Sequence, residues 1–300
     1  MSHPRTPPLP SRLPHVGTTI FTVMSALAQE HGAVNLGQGF PDFDCDPRLI
    51  DAVTAAMREG LNQYPPMAGV PALREAVAAK IEALYGHRYD PGREITITAG
   101  ATQAILTAIL DVLLISDEVY EHMVYDGRAH ASVASHAELA ARAFVVSSFG
   151  KTYHVTGWKV GYVAAPGPLA DEFRKVHQFN VFTVNTPVQH GLARFMADPA
   201  PYLELGAFYQ RKRDLFRAGL AATRFRLLPS EGSYFQCVDY SAISDRTEAE
   251  FCRWLTTEVG VAAIPLSAFY AGGFEQRIVR FCFAKKDATL NQALERLARL

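Results

Sequence analysis

Three polar segments of this 300-residue chain each come directly after a predicted strand. Gly100-Ala101-Thr102, Asp117 and Lys151 follow, in that order, strands predicted over Glu94–Thr98, Val112–Ser116 and Ala143–Ser148. In open α/β sheets, ligands bind at the carboxyl ends of the strands. There a helix N-terminus favours a phosphate, a carboxylate favours a cationic ring, and a lysine can condense with a carbonyl group. The spacing therefore predicts one ligand that carries all three groups.

Lys151 lies in a segment, Ser147–Tyr162, that is rich in small and hydroxyl-bearing residues. Such a segment lets backbone amides and hydroxyls approach a phosphate closely. Apolar neighbours and a second cation would lower the pKa of this lysine, so that its neutral amine could form a Schiff base. A lone loop lysine is more often solvated, so the prediction depends on these neighbours. Together they favour pyridoxal 5′-phosphate, which has the three groups, as the cofactor.

The same segment resembles the lysine segment of the class I/II aminotransferases, which are pyridoxal-phosphate enzymes of fold type I. Its Gly157–Gly161 part is most similar to the methionine and kynurenine aminotransferase branch. A second resemblance covers Asn35–Phe43, which is similar to the N-terminal signature of that family. The resemblance implies an α/β fold, with a mostly parallel sheet covered by helices and a smaller α+β C-terminal domain.

The resemblance also implies roles for residues around the cofactor ring. Lys151 would be the catalytic residue that holds the cofactor, Asp117 would pair with the pyridine nitrogen, and Tyr120 would bind the ring oxygen O3′. A buried carboxylate keeps that nitrogen protonated, and the charged ring then withdraws electrons from the substrate Cα. Taken alone, an acidic residue after a strand is often only a helix cap.

Further residues match the phosphate contacts of the family, and these are Gly100, Ala101, Thr102, Ser147 and Lys159. Lys159 stands where many relatives have arginine, so a point charge replaces a bidentate fork. Tyr64 matches a tyrosine that reaches the cofactor phosphate of the neighbouring subunit. The resemblance therefore implies a homodimer.

Two residues match the substrate-binding positions of the family. Gly37 would lie against the substrate carboxylate, and Arg280 would bind it bidentately. Strand alternation places Arg280 on the same face as Ile278 and Cys282, where a guanidinium is costly unless it meets an anion. A structural ion pair is the alternative interpretation of Arg280.

The chain divides into four predicted parts. Residues 1–14 contain five prolines and no apolar run, which predicts a flexible tail and no signal peptide. Residues 15–36 are expected to pack on the small domain as an N-terminal segment. The large cofactor-binding domain is predicted over 37–204 and the small C-terminal domain over 205–300, where shorter strands alternate with helices.

The interval between the predicted strands before Gly100 and Asp117 is short. About a dozen residues separate them, which is the minimum for a parallel crossover with its helix. In the family this interval is much longer, and it holds the aromatic residue that stacks on the cofactor and an asparagine motif that binds O3′. The sequence therefore predicts that a segment of the large domain is missing near Leu110-Asp111.

Composition excludes several other classes of protein. A net charge of −1 gives no electrostatic reason to expect nucleic acid or an anionic membrane as a partner. The four scattered cysteines have no CxxC spacing, which favours reduced thiols in a cytoplasmic protein. His154, His177 and His190 lack metal-ligand spacing, so we expect no metal.

We expect the chain to transfer an amino group from an L-amino acid to a 2-oxo acid. The apolar loops and the resemblance favour methionine, an aromatic amino acid or a kynurenine-like substrate. A pyridoxal-phosphate β-lyase that acts on cysteine conjugates is one alternative. The other is a catalytically impaired remnant, because a segment of the large domain is absent.

Overall fold

The computed structural model describes residues 17–108 and 114–300. The predicted tail at 1–14 and the predicted join at Leu110-Asp111 lie outside the described residues. Within the described residues the helices are α1 (Ile20–Glu30), α2 (Pro47–Arg58), α3 (Pro71–Tyr85), α4 (Gly100–Ala108), α5 (Ala137–Ala140), α6 (Phe149–Thr152), α7 (Gly167–Asn180), α8 (Thr186–Phe195), α9 (Ala200–Leu203), α10 (Leu205–Ala221), α11 (Glu248–Trp254) and α12 (Asp287–Leu297).

The strands fall into three sheets. They are β1 (Val34–Asn35), β2 (Ile95–Thr98), β3 (Leu114–Asp117), β4 (Ala143–Ser148), β5 (Gly161–Ala164), β6 (Arg226–Leu227), β7 (Phe235–Asp239), β8 (Val261–Ala262), β9 (Ile264–Pro265) and β10 (Ile278–Cys282). The central sheet has the order β2-β5-β4-β3, the second sheet has the order β6-β7-β10-β9, and β1 pairs with β8.

The central sheet is parallel except for one strand. β3 pairs with β4 in parallel, whereas β5 runs antiparallel to both β2 and β4. β2, β3 and β4 therefore run in the same direction, which confirms the mostly parallel sheet. The carboxyl ends of these three strands therefore lie at the same end of the sheet, and this brings the three polar segments of the sequence together.

Helices cover both faces of the central sheet. Phe144 and Val146 of β4 join a buried cluster with residues of α4 and α7, whereas Val145 joins a cluster with residues of α2, α3 and α8. This alternation follows from the two-residue period of a strand. It also fixes the directions in which the serines at the end of β4 point.

The second sheet is antiparallel and packs against α10, α11 and α12. Met24 of α1 and Val34 of β1 belong to the same buried cluster as this sheet. Met24 and Val34 thus pack with the second sheet, whereas the packing of the whole segment 15–36 on a small domain stays a prediction. The exact domain limits stay predictions.

Candidate active site

Lys151 lies in α6, one turn after the end of β4. Ser148 caps this short helix, since its Oγ accepts a hydrogen bond from the Gly150 amide at 3.2 Å. Burial lowers the pKa of Lys151, and the charges of Lys159 and Arg280 lower it further. The structure therefore favours the neutral, nucleophilic amine that the sequence predicted for this lysine.

A cavity of about 270 Å³ contains Lys151 and most of the other predicted cofactor contacts. Its lining includes Gly100, Ala101, Thr102, Asp117, Lys151 and Lys159, all of which the sequence predicted, and also Ser148 and Thr156. The lining thus combines a helix N-terminus, two lysines and a carboxylate. This set can bind a phosphate at one end and a cationic ring at the other.

The phosphate end of the cavity is formed by the start of α4. Gly100 has a φ of +76°, and its Cα lies near Lys159, since an added Cβ would be 3.7 Å from the lysine Nζ. Gly161 of β5 must also be a glycine, because a Cβ there would lie 2.6 Å from the Ser147 carbonyl oxygen. These two glycines let β4, β5 and α4 approach closely, so that backbone amides and Lys159 face the same cavity.

The structure corrects the prediction for Ser147. Its side chain is buried, and its Oγ donates a hydrogen bond to Glu121 Oε1 at 2.8 Å. The neighbouring Ser148 lines the cavity instead. Successive strand residues point to opposite faces, so only one of the two serines can face the cavity. Both serines follow four consecutive buried apolar residues, so the apolar pattern of β4 does not distinguish Ser148 from Ser147.

Asp117 ends β3 and lines the cavity, but it is exposed, whereas the sequence predicted a buried carboxylate. Its Oδ1 accepts a hydrogen bond from the Val119 amide at 3.2 Å, which fixes the side chain at the edge of the sheet. Tyr120 is half-buried beside it, with its ring centroid 5.9 Å from Lys151 Nζ. Burial raises the pKa of Tyr120, so its phenol stays protonated and can donate a hydrogen bond.

Arg280 lies on β10 and is surrounded by aromatic rings. Its guanidinium is 3.8 Å from the ring centroid of Phe235 and 4.8 Å from that of Phe269. Its Nε is buried, and none of the described residues accepts a hydrogen bond from it. Burial lowers the pKa of this guanidinium. Within the described residues Arg280 has no ion-pair partner, which disfavours the structural alternative and favours binding of an anion.

Gly37 is buried near the start of the chain, and its amide donates a hydrogen bond to Asn35 Oδ1 at 3.0 Å. The preceding residue, Leu36, accepts a hydrogen bond from the Cys282 amide at 2.7 Å. The Gly37 loop is thus attached to β10, the strand that carries Arg280. The two residues predicted to bind the substrate carboxylate therefore belong to adjoining segments.

Tyr64 lies outside the Lys151 cavity. It is 81% exposed and packs edge to face on Phe182, in a separate cleft of about 620 Å³ that also includes Asn62 and Asn185. Within one chain it does not line the phosphate end. This position is compatible with the predicted contact to a neighbouring subunit.

Tyr234 contacts Lys151 directly, and the sequence does not predict this contact. The residue is fully buried just before β7, and its hydroxyl accepts a hydrogen bond from Lys151 Nζ at 3.0 Å. The two residues are 83 positions apart in the chain, with Lys151 in α6 and Tyr234 just before a strand of the second sheet. No local motif around Tyr234 indicates this contact.

A model of the aminotransferase class I and II family matches residues 31–110 and 110–297. The chain belongs to this family. A methionine aminotransferase from Escherichia coli (strain K12) is 43% identical over 377 aligned positions, which cover 97% of this chain and 98% of that protein. The solved structure of an E. coli methionine aminotransferase has a TM-score of 0.95, at 43% identity, and covers 98% of this chain and 100% of that one.

More distant aminotransferases also match. A probable N-succinyldiaminopimelate aminotransferase from Mycobacterium tuberculosis is 31% identical, with 96% of this chain and 97% of that protein covered. The human kynurenine–oxoglutarate transaminase 1 is 26% identical, with 90% of this chain and 93% of that protein covered. The resemblance to the methionine and kynurenine branch of class I/II aminotransferases is therefore confirmed, and the chain is an aminotransferase.

The family match is divided into two parts that meet at residue 110. The alignment to the E. coli methionine aminotransferase has 377 positions, whereas this chain has 300 residues, so at least 77 positions have no counterpart here. Both findings agree with a segment missing near Leu110-Asp111. This aminotransferase therefore lacks a stretch of sequence that the E. coli methionine aminotransferase contains.

None of the helices in residues 17–108 and 114–300 is long and apolar enough to cross a membrane. The same residues contain no group of three or more His, Cys, Asp or Glu side chains that could hold a metal ion. Cys45, Cys237, Cys252 and Cys282 are free thiols.

Proposed function

We propose that this aminotransferase uses pyridoxal 5′-phosphate to transfer the amino group of methionine, an aromatic amino acid or a kynurenine-like amino acid to a 2-oxo acid. The observation that carries the proposal is the cavity of about 270 Å³ in which the α4 N-terminus, Asp117, Lys151 and Lys159 converge. These groups match the phosphate, the ring nitrogen and the carbonyl carbon of that cofactor. The residues therefore fit it.

The cofactor phosphate would bind the amides of Gly100 and Ala101 at the start of α4, the hydroxyls of Thr102 and Ser148, and the Lys159 ammonium. Asp117 would hold a proton on the ring nitrogen, and the Tyr120 phenol would donate a hydrogen bond to the ring oxygen. When bound, the cofactor supplies an electron-withdrawing ring that stabilises negative charge at the substrate Cα.

Lys151 would act as the general base in transamination. Its amine must be neutral to accept the proton from the substrate Cα, and burial beside Lys159 and Arg280 favours that form. The Lys151 Nζ also lies beside the rings of Tyr120 and Tyr234, 5.9 and 5.6 Å from their centroids. The same amine would return the proton in the second half of the reaction.

Arg280 would bind the substrate α-carboxylate, with Gly37 beside it. A buried guanidinium with an unpaired Nε is stabilised by a planar anion that accepts two hydrogen bonds. The rings of Phe21 and Phe269 lie near this guanidinium, and Phe269 and the following residue, Tyr270, are both exposed. This apolar surface supports a substrate with an apolar or aromatic side chain, as do relatives that act on methionine or kynurenine.

We further propose a cytoplasmic homodimer in which Tyr64 contributes to the phosphate site of the neighbouring subunit. The high exposure of Tyr64 and the cleft around it support this assembly. Four free thiols support a reducing compartment.

A second candidate is a catalytically impaired remnant. At least 77 aligned positions are missing, β3 forms an edge of the central sheet, and Asp117 at its end is exposed. An unprotected edge strand favours aggregation. A β-lyase remains the alternative within the same chemistry, and it would release a thiol, ammonia and pyruvate from a cysteine conjugate without needing a 2-oxo acid as amino acceptor.

The visible absorption spectrum of the purified protein with added pyridoxal 5′-phosphate tests the proposal, with Lys151→Ala as the control. We expect a protein-bound band that the control lacks and that bleaches when methionine is added. Absence of the band would favour the impaired remnant. Release of ammonia and a 2-oxo acid without an amino acceptor would favour the β-lyase.

A further inference from the structure

Among the described residues, only the Tyr234 side chain forms a hydrogen bond with the Lys151 amine. Its hydroxyl lies 3.0 Å from Lys151 Nζ and 2.9 Å from the Gly39 carbonyl oxygen. The side chain is fully buried, so water does not compete for these hydrogen bonds. Lys151, Tyr234 and Gly39 thus form a continuous chain of hydrogen bonds.

The direction of this chain follows from the donors available. A tyrosine hydroxyl has one proton, and here it goes to the Gly39 carbonyl, which can only accept. The Tyr234 oxygen must therefore accept from Lys151. Burial raises the pKa of Tyr234, so the phenol stays neutral and does not act as an acid or a base.

We propose that Tyr234 is a positioning residue, which holds the Lys151 amine through its phenolic oxygen and ties it to the Gly39 backbone. The inference deepens the proposed function, because Lys151 is the general base of that reaction. One N–H of Lys151 is directed to Tyr234, so the other N–H and the lone pair of the neutral amine are directed away from Tyr234. Lys151 itself lines the cavity. Gly39 follows Gly37 in the loop attached to the Arg280 strand, so Tyr234 also links the lysine to the predicted carboxylate site.

The neighbouring groups offer a matched control. Tyr209 is also fully buried, and its ring centroid lies 5.7 Å from that of Tyr234. Its hydroxyl has no hydrogen-bond partner among the described residues. Tyr209→Phe therefore removes a phenol from the same aromatic cluster without removing a hydrogen bond to Lys151.

The test is the pH dependence of Lys151 acetylation, measured with trace acetic anhydride and peptide mass spectrometry. It reads the pKa of the amine and needs neither bound cofactor nor turnover. The charged and titratable groups that face Lys151 are Asp117, Tyr120, Lys159, Tyr234, Arg280 and Cys282, and all except Tyr234 are kept in both variants.

A hydrogen bond accepted from the ammonium favours the charged form of Lys151. Tyr234→Phe should therefore shift the midpoint of acetylation downward by about one pH unit, whereas Tyr209→Phe leaves it unchanged. An unchanged midpoint in Tyr234→Phe would overturn the inference. An upward shift would do so too, because it would mean that Tyr234 donates to the amine.

A second measurement does not depend on any change at Tyr234. Lys151→Met removes the donor at the start of the chain and leaves the Tyr234–Gly39 hydrogen bond in place. Because hydrogen bonds in a chain polarise one another, this bond should weaken. We expect the ¹³C resonance of the Gly39 carbonyl to move upfield in Lys151→Met, and an unmoved resonance would contradict the inference. Neither the acetylation profile nor the carbonyl resonance requires the cofactor, so both can fail or succeed independently of the cofactor spectrum that tests the proposed function.

Discussion

The Lys80 ammonium lies 2.7 Å from Glu121 Oε1 in an enclosed site on the α3 side of the central sheet, where the two side chains are only 6% and 2% exposed. Glu121 also accepts hydrogen bonds from Tyr85 and Ser147. It directly follows Tyr120, and Ser147 directly precedes Ser148. The ion pair therefore joins α3 to two segments that form the candidate active site.

Lys80→Met should destabilise the protein by about 3–5 kcal/mol at neutral pH, because it leaves the Glu121 carboxylate buried without its cation. Urea unfolding measures this change. Arg128→Met is the matched control, since the Arg128–Glu231 pair has the same 2.7 Å separation but is more than half exposed. We expect the control to cost less than about 1 kcal/mol. Equal losses in the two variants would contradict the assignment of a buried, structurally important pair.

The same variant has a defined pH dependence. Burial alone would raise the pKa of Glu121, but Lys80 and the hydrogen-bond donors around it lower it in the folded protein. Because the pKa of Glu121 is lower in the folded than in the unfolded protein, its carboxylate stabilises the folded state at pH values above the unfolded pKa. This stability is lost as the pH falls through the folded pKa. In Lys80→Met the burial, the hydrogen-bond donors and the nearby His122 remain, but the Lys80 charge is lost, so Glu121 protonates at higher pH. The difference in unfolding free energy between wild type and Lys80→Met should therefore be smaller near pH 4 than near pH 7.

Ser148→Ala and Ser147→Ala should separate binding from stability. Ser148 lines the cavity, so its loss should weaken the binding of pyridoxal 5′-phosphate about tenfold, as expected for a hydrogen bond to a charged group. Ser147 bonds Glu121, so its loss should lower the unfolding free energy by about 1 kcal/mol and leave the affinity unchanged. Spectroscopic titration with the cofactor and urea unfolding measure the two effects. A larger loss of affinity in Ser147→Ala would restore the original prediction for that residue.

The sequence predicted the part of the site that depends on strand direction. Gly100, Asp117 and Lys151 meet because β2, β3 and β4 run in the same direction, and the end of each strand could be recognised locally. The prediction that Ser147 contacts the phosphate was wrong, and Ser148 lines the cavity instead. The difference depends on which face of β4 each serine occupies. Tyr234 could not be found, because it lies just before a strand of the second sheet and contacts a helix residue 83 positions away, which leaves no local pattern.

Arg280→Lys should raise the KM for the amino acid by about 10- to 100-fold and change kcat much less. An ammonium cannot reproduce the planar fork with which a guanidinium binds a carboxylate, and one charged hydrogen bond accounts for a change of this size. Arg277→Lys is the control, because Arg277 pairs with Asp245 at 2.9 Å on the protein surface. Steady-state kinetics with methionine and pyruvate check the prediction. Similar KM values for the two variants would mean that Arg280 does not bind the substrate carboxylate.

Mixed dimers test whether Tyr64 acts across a subunit interface. In the proposed dimer, each site takes Lys151 from one chain and Tyr64 from the other chain. Lys151→Ala and Tyr64→Phe each remove one of these two contributions. In a mixed dimer one site would combine Lys151 from the Tyr64→Phe chain with Tyr64 from the Lys151→Ala chain, and this site would be intact. Random mixing after reversible unfolding should therefore restore about a quarter of wild-type turnover, because half of the dimers are mixed and each has one intact site. If Tyr64 acted within its own chain, mixing would restore no activity, since every site would then lack either Lys151 or Tyr64.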